Sequence, residues 1–229
     1  MLVLRNINKT FHVKNGMVKA LQDVSLSLSG GEFLVIRGPS GCGKTTLLLV
    51  AGCLLKPGGG QVLLNGMDPY NLDMDHVNRL RSETIGFVFQ QFHLIPYLSA
   101  RDNISSPALA SGNPVMPGRV DELIRHFGLE ERAGHLPHQL STGERQRTAL
   151  ARALYNDPGI ILADEPTGNL DEENAEILYK YLRQFAADGG SVLLVSHDRR
   201  ACDYGTRVIG MSQGRLQRST GSYVGAGSG

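Results

Sequence analysis

The sequence predicts an α/β protein with a mostly parallel central sheet, an N-terminal antiparallel β-subdomain and an inserted helical lobe. Three observations carry this. Short, continuous apolar runs (Phe33–Ile36, Ile160–Ala163, Val192–Val195) alternate with helical patterns, as strands covered on both faces do. The opening stretches, Leu2–Phe11 and Val18–Leu28, instead alternate apolar and polar residues, the period of antiparallel strands with one solvated face. Between about Gln91 and Asn156 the strand signals stop, and Pro96, Pro107, Pro114, Pro117 and Pro137 punctuate short helical patterns such as Val120–Phe127.

The chain has 229 residues, 41% hydrophobic and 20% charged, which suits one globular domain with a sizeable core. Residues 1–218 are expected to form that domain, with 1–90 and 157–218 as the α/β core and 91–156 as the helical lobe. The glycine- and serine-rich stretch 219–229 reads as a flexible tail or an expression remnant. A formal net charge of +1 argues against nucleic acid as a partner and against a polybasic membrane surface. Cys42, Cys53 and Cys202 show no metal spacing and suggest reduced thiols in a cytosolic protein. Met1–Arg5 lacks the layout of a secretion signal, and the apolar run Leu47–Leu55 is far shorter than the ~20 residues that span a bilayer. Any membrane role is therefore expected to come through a partner.

In chain order, Gly30 and Gly31 mark a turn into the strand Phe33–Ile36, and Thr46–Ala51 reads as the helix leaving the next loop. Pro57–Gly60 breaks the chain before a strand at Gln61–Asn65. Asp73–Ser82 reads as a helix, Thr84–Phe89 as a strand, Glu172–Ala187 as a helix, and Arg207–Leu216 as a closing hairpin.

The loop between Ile36 and Thr46 carries the chemistry. Gly38-Pro-Ser-Gly-Cys-Gly-Lys-Thr45 fits the phosphate-binding pattern G-x-x-x-x-G-K-[ST] and is followed by Thr46, which makes the predicted fold a P-loop NTPase. Its glycines let backbone N–H groups converge on phosphate oxygens, and the following helix aims its positive end at the same anion. The nucleotide-binding residues are thus Gly38, Pro39, Ser40, Gly41, Cys42, Gly43, Lys44, Thr45 and Thr46, with Lys44 reaching the β- and γ-phosphates and Thr45 holding Mg²⁺. Two more apolar strands end in polar groups, Asp164-Glu165 and Ser196-His197. In open α/β sheets ligands bind beyond the carboxyl ends of the strands, so these ends should meet at one site. Asp164 is placed to hold Mg²⁺ through water and Glu165 to act as general base. His197 is a candidate to contact the γ-phosphate and orient the water. Gln90, with Gln91 as rival, could sense Mg²⁺ and the γ-phosphate, and Phe11, with His12 as rival, could stack on a base. Cys42 is either a small filler or, at a helix N-terminus, a reactive thiol. His76, His93, His126, His135 and His138 read as surface or loop residues. Arg145, Arg147 and Arg152 read as one solvated, salt-bridged helical face.

At Leu140-Ser-Thr-Gly-Glu-Arg-Gln-Arg147 the chain resembles the ATP-binding cassette (ABC) ATPases, whose signature is L-S-G-G-Q. The resemblance runs from Phe11 to about Leu216. It takes in the phosphate loop, Gln90, the signature, Ile161–Thr167, Gly168-Asn-Leu-Asp171 and His197, in family order. It implies a Mg²⁺-dependent ATPase that works as a homodimer around two ATP. Ser141, Thr142, Gly143, Glu144 and Asp171 would then act in trans on the partner's nucleotide. Ile85–Pro96 with Gly168–Asp171 is similar to the lipoprotein-releasing, macrolide-exporter and cell-division branch. That branch implies an integral membrane permease subunit docking near Gln90–Leu98, on the cytoplasmic face of the inner or plasma membrane. The apolar stretch Phe92–Leu98 can equally be packing between lobes. A cell-division ATPase that moves no cargo is the alternative function. A soluble ABC ATPase acting on DNA or ribosomes is disfavoured, since the chain has neither a long coiled coil nor a second cassette. The departure is Thr142, where the family has glycine. A negative φ there leaves threonine harmless, with its hydroxyl free to cap the helix before Glu144, whereas a positive φ would strain it.

Overall fold

The computed structural model describes residues 1–14, 16–111 and 114–217, so the predicted tail at 219–229 lies outside the described residues. The elements in chain order are β1 (Leu2–Val13), β2 (Gly16–Leu28), β3 (Phe33–Arg37), α1 (Lys44–Ala51), β4 (Gly59–Leu64), α2 (Met74–Thr84), β5 (Ile85–Phe89) and α3 (Ala100–Ser111). They continue with α4 (Pro117–His126), α5 (Thr142–Ala153), β6 (Ile160–Asp164), α6 (Glu172–Ala187), β7 (Ser191–Ser196), α7 (Ala201–Tyr204), β8 (Arg207–Ser212) and β9 (Arg215–Leu216).

The period-two stretches pair as their pattern requires. In a three-stranded antiparallel sheet, β1 lies between β2 and β4, with Leu2 opposite Leu28 and Leu64, and Leu4 opposite Leu26 and Val62. These leucines and valines are buried, and the residues between them face outward. The continuous apolar runs form the second sheet, in the order β5-β6-β7-β3-β8-β9, parallel except for the edge strand β9.

Successive residues of a strand point to opposite faces, and the two cores divide accordingly. Leu34, Ile36, Ile160, Leu162, Leu193 and Val195 pack with α1 and the antiparallel sheet. Phe33, Val35, Ile161, Ala163, Val192 and Leu194 pack with Ile104 of α3, Val120 of α4, Leu150 of α5 and Leu178 and Leu182 of α6. The parallel sheet is therefore the middle layer, and its carboxyl edge is where polar groups can surface.

Among the described residues, 91–156 holds α3, α4, α5 and short 3₁₀ turns, and no strand. Pro107 does not break the pattern there as expected; it sits inside α3. Proline removes the N–H that would serve the carbonyl of Asn103, and the Ser106 hydroxyl supplies a donor to that carbonyl at 2.8 Å instead. Pro117 occupies the first turn of α4, where a missing N–H costs nothing.

Candidate functional site

The carboxyl ends of β5, β6, β7 and β3 lie side by side, with Phe89 opposite Asp164, Asp164 opposite Val195, and Arg37 opposite Ser196. Gln90, the Asp164-Glu165 pair, Ser196-His197 and the loop from Gly38 thus emerge from one edge. The loop is tight because its glycines allow it. Gly41 and Gly43 have φ of 76° and 109°, and a Cβ on Gly43 would run into the Ala20 carbonyl of β2. Gly43 is also the residue before α1 and carries no side-chain cap, so the amides of the first turn stay available to an anion.

A cavity of about 530 Å³ opens over this loop. Its wall contains Gly41, Cys42, Gly43, Lys44, Thr45 and Thr46, together with Phe11, Val18, Lys19, Ala20 and Gln22 from the antiparallel sheet and Gln213 and Gly214 from the β8–β9 turn. Phe11 is in this wall and His12 is not. Gly38 begins the loop beneath it, its N–H donating to the Ser196 carbonyl, and Pro39 and Ser40 are exposed at the bend. Cys42 is buried in the core with 7% exposure, which is the filler reading of that thiol.

One hydrogen-bonded network links the strand ends. Lys44, only 6% exposed, donates to the carbonyls of Gly38 (2.9 Å) and Pro39 (3.1 Å) and pairs with Glu165 Oε1 at 3.3 Å. Glu165 Oε2 accepts from the Ser196 hydroxyl (3.0 Å) and the His197 N–H (3.1 Å) and lies 2.8 Å from His197 Nδ1. Burial pushes the Glu165 carboxyl up, but these bonds outweigh it and hold the group below its ordinary range. Thr45 Oγ1 donates to Asp164 Oδ1 at 3.2 Å. Burial raises Asp164, with the charge of Glu165 adding to it against the opposing pull of Thr45 and Lys44. Glu165 itself has φ 46°, a left-handed backbone that a non-glycine residue adopts only where its surroundings impose it. Gln90 is exposed at the end of β5, and its amide lies against Gly168, where a Cβ would come within 2.5 Å of Nε2. Gln91 is exposed beside it.

The remaining candidates meet each other rather than the cavity. Ser141 caps α5: its hydroxyl accepts the Glu144 N–H, while Glu144 Oε2 accepts the Ser141 N–H at 2.7 Å. That bond and Arg132, 2.9 Å away, bring the Glu144 carboxyl down to about 2. Thr142 is the first residue of α5 and has no left-handed φ, so the harmless case holds; the capping hydroxyl, however, belongs to Ser141, because the residue before the helix is the one whose side chain reaches back to it. Asp171 caps α6, accepting from the Asn174 N–H and side-chain amide. The two helix starts touch where Gly143 leaves room for the Asn174 carboxamide.

A family model described as "ABC transporter" matches residues 21–168. The chain belongs to the ABC transporter family. It is an ATP-binding cassette of that family, with an ABC-type ATPase fold. It is 42% identical over 225 residues to the ABC transporter ATP-binding protein MJ0796 of Methanocaldococcus jannaschii, covering 95% of this chain and 96% of that one. It is 43% identical to the lipoprotein-releasing system ATP-binding protein LolD 1 of Rhodopirellula baltica, over 95% and 96% of the two chains. The macrolide export ATP-binding/permease protein MacB of Burkholderia thailandensis is 40% identical over 94% of this cassette, which spans 33% of that longer protein. A solved structure, the MJ0796 cassette as a dimer bound to ADP and Pi, superposes with a TM-score of 0.89 at 40% identity, covering 96% of this chain and 98% of that one.

Several features of the cassette's site were not legible in the sequence. Ser196 is expected at the site only as the strand-end neighbour of His197; its bond to Glu165 has no signal in the sequence. The Ala20 and Gly214 wall comes from segments distant in sequence and unremarkable in composition. The arginines were misread. None of Arg145, Arg147 and Arg152 is fully exposed, and among the described residues no ion pair to an acidic group involves them. Arg152 is driven into the lobe, where burial lowers its pKa and it donates to the carbonyls of Phe92 and His93. Those two residues have φ of 60° and 47°, and the arginine satisfies carbonyls that such a bend turns inward.

Proposed function

We propose that two copies of this cassette close around two Mg-ATP and that hydrolysis drives an integral membrane permease subunit seated near Gln90–Leu98. The observation that carries this reading is the network Lys44–Glu165–Ser196/His197 beside Thr45–Asp164, at the ends of neighbouring strands. Gly38, Pro39, Ser40, Gly41, Cys42, Gly43, Lys44, Thr45 and Thr46 wrap the phosphates, chiefly through backbone N–H groups, and Phe11 lies against the adenine. Lys44 exchanges the carbonyls of Gly38 and Pro39 for phosphate oxygens. Glu165, kept ionised by its donors, accepts the proton of the attacking water, while His197 and Gln90 orient that water and the γ-phosphate. Thr45 Oγ1 and Asp164 Oδ1 lie 3.2 Å apart, and hard oxygens of this kind suit Mg²⁺: Thr45 would hold the ion, Asp164 would hold it through water, and Gln90 would sense it. When bound, the ion would supply positive charge between phosphate oxygens.

Ser141, Thr142, Gly143, Glu144 and Asp171 face the nucleotide of the second copy in this reading. Its support is the meeting of the two helix starts at Gly143 and Asn174 and the dimeric form of the MJ0796 cassette. Residues 1–218 work as one ATPase domain, with 91–156 as the lobe that carries the signature. The permease seat is supported by Tyr97, 78% exposed beyond the Phe92–His93 bend, and by MacB, whose name joins an ATP-binding and a permease part. Among the described residues no helix is long and apolar enough to cross a membrane, so the cassette would sit on the cytoplasmic face through that subunit. The relatives' lipoprotein-release and export names favour extrusion of a lipid, lipoprotein or drug over a cell-division ATPase that moves no cargo.

Glu165→Gln tests the core of this reading. The amide cannot take the proton, so hydrolysis is expected to fall about 10²–10⁴-fold while ATP binding persists. The variant should elute as an ATP-dependent dimer in size-exclusion chromatography. Hydrolysis near the wild-type rate would remove Glu165 from the mechanism, and a monomer at saturating ATP would remove the dimer.

A further inference from the structure

Tyr179 lies on the buried face of α6, about two turns in from the Asp171 cap, and is 1% exposed. Its neighbours on that face, Ala175, Leu178, Leu182 and Ala186, are apolar, so packing alone asks for no hydroxyl there. A buried phenol needs partners, and Tyr179 finds them in two loops. Its oxygen is 2.9 Å from Thr167 Oγ1 and 3.3 Å from Asp198 Oδ2. Burial pushes the phenol up to about 12, so it keeps its proton. Burial also pushes the Asp198 carboxyl up, but its bonds to Arg200 hold it below its ordinary range. An ionised carboxylate only accepts, so Tyr179 donates to Asp198 and the Thr167 hydroxyl donates to Tyr179.

Both partners stand next to Glu165. Thr167 lies in the turn that the Gly168 N–H closes on the Glu165 carbonyl at 3.0 Å, and that turn starts from the left-handed backbone of Glu165. Asp198 donates its N–H to Ser196 Oγ at 2.9 Å, and the same hydroxyl donates to Glu165 Oε2. One phenol oxygen thus ties the backbone turn and the carboxyl of Glu165 to a single helix. The ring itself is fixed by stacking on Tyr204 of α7 at 5.1 Å. We propose that Tyr179 is a positioning residue for hydrolysis, its hydroxyl locking the Glu165 turn against the Ser196–Asp198 loop so that the carboxylate is held toward the attacking water. This role rests on the reading of Glu165 as general base. Tyr179 is not in the wall of the nucleotide cavity, so its hydroxyl should bear on rate and not on ATP affinity.

The test is Tyr179→Phe, which keeps the ring and its stack and removes only the hydroxyl. ATP affinity, read by equilibrium binding, should stay within about twofold of wild type, while hydrolysis per bound ATP should fall about three- to tenfold. A merely structural role would lower the amount of active protein and leave the rate per bound ATP unchanged. Thr167→Val should reproduce the loss, and Thr167→Ser, which keeps a hydroxyl, should recover most of the rate; this pair decides the question even if Tyr179→Phe does not fold. Added to Glu165→Gln, Tyr179→Phe should cost less than about twofold more, because no base is left to position. A wild-type rate per bound ATP in Tyr179→Phe and Thr167→Val, with Glu165→Gln inactive, would overturn this role alone, as would a full further loss in the double variant. A wild-type rate in Glu165→Gln would overturn it together with the general base.

Discussion

The strand ends around Lys44 and the helix starts at Ser141 and Asp171 are built in opposite ways. At the strand ends a buried lysine and a half-buried glutamate are charged and mutually committed: Lys44 is spent on two carbonyls and Glu165, and Glu165 holds a left-handed backbone. At the helix starts each residue is capped in an ordinary extended conformation, and Thr142 enters α5 without strain. The first region resembles a loaded electrostatic arrangement whose bonds must change when a phosphate arrives. The second is finished before any partner appears. Substitutions should therefore act on nucleotide affinity and rate in the first region, and on local stability in the second.

Lys44→Ala should have the largest effect. It removes the phosphate's cation and leaves Glu165 Oε1 without its partner, so affinity for ATP should fall on the order of 10²-fold. Equilibrium binding of a fluorescent ATP analogue measures this, and unchanged affinity would confine Lys44 to the transition state. Ser196→Ala should come next. Removing one donor to Glu165 Oε2 raises that carboxyl toward its ordinary value, so the acid limb of the ATPase pH profile should move to higher pH, with a loss of roughly tenfold or less at neutral pH. A profile superposing on the wild type would mean that His197 and Lys44 hold the charge of Glu165 without Ser196.

Both effects bear on what a sequence can disclose. The phosphate loop, the strand ends and the α/β layering were readable because each is a local pattern: a glycine spacing, an apolar run, a period of two. Asp164, Glu165 and His197 are found by the rule that such runs end at the site: one network joins Glu165 and His197 to Lys44, and Asp164 bonds Thr45 beside it. What escaped is set by tertiary contact. Nothing local marks Ser196 as a donor to Glu165, or Ala20 as the wall behind Gly43. Pro107 looked like a break because its compensation, the Ser106 hydroxyl, is invisible in a propensity scale. Arg152 looked solvated because a charged residue on a helix usually is, whereas here a left-handed bend presents two carbonyls to it.

Glu144→Gln probes the second region and should act on stability more than on nucleotide affinity. Glu144 titrates from about 4.5 when unpaired down to about 2 in the fold. A depressed carboxyl contributes stability that is present above pH 4.5 and lost as pH falls toward 2. The glutamine variant keeps the shape but loses the Arg132 pair, so it should be less stable by about 1 kcal/mol at neutral pH. Its stability should also fall less steeply than the wild type's between those two pH values in urea denaturation. Equal slopes would show that Glu144 is not held down in the folded chain.

Thr142→Gly carries the smallest expected effect and separates the two regions most sharply. The family pattern has glycine there, and glycine's use is to supply a positive φ or room for a close approach. Thr142 needs neither for its own backbone, since it occupies the first helical position after the Ser141 cap. Glycine would then relieve no strain and would add conformational freedom to the unfolded chain. The expected result is a loss of stability of about 0.5–1 kcal/mol with hydrolysis raised by less than about twofold. Hydrolysis and ATP-driven dimerisation in Thr142→Gly, measured beside wild type, decide the matter. A rise of about tenfold, equivalent to roughly 1.4 kcal/mol, would mean that the threonine restrains closure of the dimer, and that the signature end, like the phosphate end, stores energy against nucleotide binding.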